Sequence, residues 1–193
     1  MATNEERRAA TRAKLIKAAR ENFARNGFDG THTGDILDQA GMSRGALYHH
    51  FKSKRDLFEA VYISVSSEAI DHAAKSGVSG ESPLENLISA CLGWLRVVRR
   101  PEVASILLDQ GPQVLGWKKA RLLEAESSLG LMMASLEQAV EAGQLDVLSV
   151  ELTARLINAL LAEAALASLH SEPAISAAKQ EAAVRQLIEG LQS

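Results

Sequence analysis

THTGDILDQAGMSRGALYHHFKSKRDL, residues 31–57, is the stretch whose reading decides the fold of this chain. Ile36, Leu37 and Ala40 share one face of a short helix, for which Thr33 is the predicted N-cap and Asp35 lies in the first turn. Gly41 can take the left-handed backbone that ends a helix, and Met42 bridges the turn. Ser43 then caps a second helix, Arg44 to His50, which turns Ala46, Leu47 and Phe51 inward and leaves Arg44, Gly45, Tyr48 and His49 facing out. Two short helices joined by a glycine turn, the second carrying small, basic and hydroxyl-bearing residues, form the unit that enters a DNA major groove. Ser53-Lys54-Arg55-Asp56 fits a capping box for a third helix. Lys52, Lys54 and Arg55 then lie near its N-terminus, where amide dipoles and cations both attract phosphate. The His49-His50 pair is not read as a metal site, because neighbours on a helix point about 100° apart.

These residues carry a resemblance. GMSRGALYHHFKSKRDLF, residues 41–58, follows an arginine- and lysine-rich helix ending in Asn26-Gly27-Phe28. From about Arg7 to Val61 it resembles the DNA-binding domain of the tetracycline-repressor (TetR) family of bacterial transcriptional regulators. The resemblance implies that Thr33, Ser43, Tyr48, His49, His50 and Lys54 contact phosphates of a near-palindromic double-stranded operator. It places Arg44, Gly45 and Ala46 nearest the base edges. Two positions depart from the family's pattern: Leu37 stands where a small alanine is common between the two helices, and Gly34 where a longer, often basic residue is frequent. The second departure removes one phosphate contact.

Charge is unevenly spread. Residues 1–55 hold eleven Lys and Arg against six Asp and Glu, whereas the remainder holds ten against eighteen, within a net charge of −3. A basic N-terminal third on an acidic body suits a polyanion bound at one end. The apolar content of 47% is that of an ordinary soluble protein. Cys91 is the only cysteine, which excludes an intrachain disulfide. MATNEERRAATRAK lacks the apolar core of a signal peptide, and no apolar run approaches the roughly 20 residues that span a bilayer. A cytoplasmic protein without a membrane partner is expected.

The chain reads as all-α, with about nine helices and no strand. Helix 1 runs from Asn4 to Asn26, with Gly27 ending it and Phe28 anchoring the loop; the two helices of the opening stretch follow, and the next extends from Lys54 to about Ser76. Residues 77–82, GVSGES, are a break, and Ser82, Pro83 and Glu85 give the following helix a strong start. Pro101 opens a shorter helix that Gly111-Pro112 is expected to break, and a long helix spans Gly116 to Ala142. The last two helices, Val150–His170 and Pro173–Gln192, carry more apolar and alanine surface than one chain can cover. They predict a homodimer in which they pack on their symmetry mates as a four-helix bundle. A DNA-binding domain over residues 1–55 and a helical ligand-binding and dimerisation domain over 56–193 are expected, with the Lys54–Ser76 helix as connector.

A body of this size exceeds what dimerisation needs. Cys91, Trp94, Trp117, Met132 and Met133 gather large and adaptable side chains there, and Asn158 and Glu163, with His170 further on, set polar groups within apolar faces. They are the candidate lining of a site for a small hydrophobic or aromatic ligand. The resemblance implies that such a ligand binds inside the C-terminal helices, moves the connector and changes the distance between recognition helices. No cofactor or metal site is expected. No G-x-S-x-G, glycine-rich phosphate loop or H-E-x-x-H occurs, and Ser176-Ala-Ala-Lys179 matches S-x-x-K only as an alanine-rich helix will by chance, so an enzyme is not expected. The expected function is that of a dimeric repressor released from its operator by the ligand. Control by a protein partner, or by redox chemistry at Cys91, is the alternative.

Overall fold

A computed structural model describes residues 3–78, 81–170 and 175–192. Among these every regular element is a helix, with no strand. It divides into two compact units, Met1–Val65 with Pro101–Ala120, and Ser66–Arg100 with Arg121–Ser193.

In the first unit, α1 (Asn4–Gly30) starts on a reciprocal cap: Thr3 Oγ1 accepts from the Glu6 amide at 3.1 Å, and the Thr3 amide donates to the Glu6 carboxylate at 2.7 Å. The helix breaks at Gly27, where φ is 72°, and a last turn carries Phe28 into the core. There Phe28 lies 5.7 Å from Phe23 and 5.5 Å from Phe58, ring centre to ring centre. α2 (Thr33–Ala40) and α3 (Arg44–His50) follow, joined through Gly41 at φ 63°. Leu15, Ile36, Leu47, Leu57 and Phe58 are fully buried with Phe23. α4 (Lys54–Ser76) contributes its first half to this unit and its second half to the other. Leu37 is buried in the same core, so a side chain larger than alanine is accommodated between the two helices.

Two boundaries differ from expectation. Thr33 is not the N-cap of α2; His32 occupies that position in extended backbone without a side-chain bond. The Thr31 hydroxyl instead donates to the Gly27 carbonyl at 2.7 Å, closing the end of α1. Nor does Gly111-Pro112 break the chain. Residues 101–115 stay helical in three parts: α6 (Pro101–Ala104), a π-helical turn Ser105–Gln110, and α7 (Gly111–Leu115). The wide turn lets Pro112 enter at the first positions of α7, where its missing N–H costs nothing. Gln110 is buried, its Nε2 donating to the Phe23 carbonyl at 3.0 Å and to Ser105 Oγ at 2.8 Å. Its Oε1 is the buried side-chain polar atom among the described residues that has no partner.

The second unit is built from the end of α4, α5 (Pro83–Val98), most of α8 (Trp117–Glu141), α9 (Val150–His170) and α10 (Ala177–Glu189). α5 starts as expected: Ser82 Oγ accepts from the Glu85 amide, and Pro83 opens the helix. Leu84, Leu87, Ile88, Cys91, Leu95 and Val98 are buried, so α5 is the surrounded helix of this unit. Arg96 and Arg99 pair with Glu181, and Arg185 with Glu85 at 2.8 Å, fastening α10 to α5. The final helix was expected from Pro173, which lies outside the described residues; the described helix starts at its Ser176 cap. The side chain of His170 also lies outside them.

Candidate nucleic-acid interface and ligand cavity

The surface of α3 follows from how its inner side is held. Leu47 and Phe51 are buried, and the Ser43 hydroxyl accepts from the Ala46 amide at 3.3 Å. A short helix with its base and cap fixed presents the rest of its circumference rigidly: Arg44, Gly45, Tyr48 and His49 are exposed, and Ala46 and His50 are half-buried. The Arg44 guanidinium stands 5.7 Å from the centre of the Tyr48 ring, within range of a cation–π contact. His49 and His50 meet edge to face at 5.3 Å. Among the described residues no group of three His, Cys, Asp or Glu could hold a metal ion.

Behind α3, the basic helix α1 adds charge that sequence reasoning did not assign to the site. Arg12 covers the Phe51 ring at 5.3 Å. Partial burial, then the neighbouring His49, Arg8 and Arg12 charges, lower the pKa of His50 below its ordinary 6.5. Local positive potential of this kind is what a phosphate would relieve. Lys52 is exposed beside the start of α4. Lys54 sits differently from a free surface lysine: its ammonium donates to the Phe28 carbonyl at 2.7 Å and the Thr31 carbonyl at 3.0 Å, over the Phe28 ring. It pins the α1–α2 loop to α4 and keeps one of three protons unspent. Thr33 is half-buried, and Gly34 is exposed with open space where a Cβ would stand.

In the second unit, the end of α4 with α5, α8 and α9 encloses a cavity of about 370 Å³. Of the expected lining, Cys91, Trp94, Met132 and Asn158 are present. Trp117 is not: it begins α8 within the first unit and is 62% exposed. Met133 lies one residue, roughly 100° of helix, from Met132 and points off the cavity. Glu163 is exposed on α9, away from it. Sequence reasoning missed Glu124, Ser128 and Ser135. They line the cavity together with Met132, and their spacing of three and four along α8 is the signal that placed them on one face. Burial raises the pKa of Glu124, with Arg121 opposing the shift. Cys91 is buried in apolar surroundings that push its thiol up to about 12.

Two stretches of the chain match known families. Residues 15–61 match the family described as bacterial regulatory proteins, tetR family, and residues 84–191 match the tetracyclin repressor-like C-terminal domain. The regulator TtgR of Pseudomonas putida is 41% identical over 69 residues, 36% of this chain and 32% of that protein. This chain thus aligns with about a third of its length. The transposon Tn10 TetC protein of Escherichia coli is 22% identical over 151 residues, 77% of this chain and 75% of its own. A crystal structure of a TetR-family transcriptional regulator from Pectobacterium atrosepticum is 29% identical with a TM-score of 0.82, covering 99% of this chain and 98% of that one. No helix of the described residues is long and apolar enough to cross a membrane. With a helix-turn-helix head, a helical body and both family domains in order, the chain belongs to the TetR family of DNA-binding transcriptional regulators.

Proposed function

We propose that this protein is a dimeric, cytoplasmic repressor whose hold on a near-palindromic operator is released by a small apolar or aromatic ligand bound in the cavity of the second unit. The cavity carries the reading. Residues of α4 form one wall, and the same helix continues N-terminally into the unit that holds α3. A ligand that alters α4 therefore has a covalent route to the recognition helix. Release needs little energy: a tenfold loss of operator affinity corresponds to about 1.4 kcal/mol of coupling.

In this reading residues 1–55 bind DNA and 56–193 bind ligand and partner. Arg44, Gly45 and Ala46 meet base edges, while Thr33, Ser43, Tyr48, His49, His50, Lys52 and the remaining proton of Lys54 meet phosphates. The dimer forms through α9 and α10. Leu152 and Leu156, 57% and 61% exposed, stand one turn apart on α9 with Ala159 also exposed, and Leu187 is exposed on α10. An apolar stripe of this kind is suited to a symmetry mate. Control through Cys91 oxidation fits poorly, because a buried thiol with so high a pKa forms little thiolate.

The test is anisotropy of labelled DNA flanking the protein's own gene, titrated with protein at several salt concentrations and then challenged with apolar and aromatic compounds. Salt-dependent binding to one fragment, released by a compound whose effect is lost in Trp94→Ala, is expected. Binding that no compound releases would favour a protein partner as the controlling signal.

A further inference from the structure

Glu124 is the one residue of the cavity lining that can carry charge near neutral pH. The lining from α4 contributes Ser66, Ile70 and alanines, that from α5 the neutral Cys91 thiol and Trp94, and that from α9 Asn158 and Leu161. No cation is among them. Arg121, on the same helix one turn earlier, is exposed. Among the described residues no side chain donates a hydrogen bond or ion pair to the Glu124 carboxylate. A carboxylate so placed has lost hydration with only the exposed Arg121 charge, one turn away, to offset it, a cost that an incoming cation would repay.

The neighbouring polar groups have the same bias. Asn158 Nδ2 donates to Ser128 Oγ at 3.1 Å, and the Ser128 hydroxyl donates its single proton to the Glu124 carbonyl at 2.9 Å. The serine is thus spent, and the Asn158 side-chain oxygen is left as an acceptor. Beside the hydroxyls and amides of Ser66, Ser135 and Gln138, which can donate or accept, the cavity therefore offers two acceptors, Glu124 and the Asn158 oxygen, within walls that include Trp94, whose ring face favours a cation.

We propose that the cavity takes an apolar amine in its protonated form, its N–H groups held by the Glu124 carboxylate and the Asn158 side-chain oxygen, with its hydrocarbon part against Trp94, Met132 and Leu161. This rests on the reading of the cavity as the ligand site. Its volume of about 370 Å³ suits a compound of modest size.

Three probes of matched skeleton test it: 4-phenylbutylamine, 4-phenylbutanol and 4-phenylbutyrate. Binding to the full chain is followed through Trp94 emission in a Trp117→Phe background, where Trp94 is the only tryptophan. The amine is expected to bind at least tenfold more tightly than the alcohol, and the carboxylate more weakly than either. Amine affinity should rise as pH rises above 4.5, because ionised Glu124 is the binding form and burial raises its pKa, while the amine stays charged throughout. Glu124→Gln should cost the amine at least tenfold, remove that pH dependence and change alcohol binding less than twofold. Equal affinity of amine and alcohol for the unmodified lining would overturn the proposal but leave the cavity as a ligand site. No response to any of the three would overturn both. The contrast between probes needs no variant, so it stands even if Glu124→Gln is poorly folded.

Discussion

In the proposed operator complex, Arg44 and Gly34 separate two ways of holding DNA. Arg44 projects from the first turn of α3 beside the exposed Tyr48 ring, where a guanidinium can read a guanine edge. Arg44→Ala should cost about 1–3 kcal/mol on the preferred operator and little on random sequence, so the ratio of the two affinities falls. Gly34 tests the opposite term. A Cβ there meets nothing within 4 Å, and its backbone is ordinary helix. Gly34→Lys should tighten binding to all sequences, and the slope of log affinity against log salt should steepen by about one. His50 adds a pH dependence. Its pKa is lowered in the free protein, so its contribution to fold stability is intact above 6.5 and is lost as pH falls below that value. A bound phosphate draws the pKa back up, so DNA binding takes up a proton and affinity should rise as pH falls through the same range. His50→Gln should flatten that part of the profile at constant salt.

At the scale of elements, the sequence was legible where structure is decided locally. Gly41, Ser43 and the Ser82-Pro83-Glu85 start stand as read, because a cap is settled by the residue and the three that follow it. Thr33 lies inside the first turn instead, because α2 begins one residue earlier, with His32 in the cap position. The π-helical turn had no local signature. Gln110 at its end donates to the Phe23 carbonyl from 87 residues away, a contact no window of sequence contains. The cavity was half legible for a similar reason. Trp94 and Met132 stand out as large side chains, whereas Glu124, between Arg121 and Glu126, is one charged residue among others and carries no such signal. Two packing contacts give element-scale tests. A Cβ on Gly111 would stand 2.4 Å from the Tyr62 ring, so Gly111→Ala should displace α7 or the ring and lower the thermal midpoint by several degrees. If the proposed dimer forms through α9, Leu156→Arg on its exposed stripe should halve the sedimenting mass at micromolar concentration and weaken operator binding, while helix content by circular dichroism is kept.

For the whole molecule, the proposed repressor is a balance of small terms, and the polarity of charge helps set it. The basic residues concentrate before residue 56 and the acidic ones after it. Repulsion from the acidic remainder should therefore leave binding dominated by the N-terminal unit, with a salt dependence set by its cations alone.

The discontinuity of that N-terminal unit matters when the chain is made. Tyr62 bonds Ala120, Arg55 bonds the Leu115 carbonyl and Gln110 bonds Phe23, so these three contacts of the first 65 residues wait until up to 55 more have been added. At ordinary elongation rates that interval lasts on the order of seconds. During it, the nascent head is a set of helices waiting for its own floor, and it matures only after the second unit's α5 has left the ribosome.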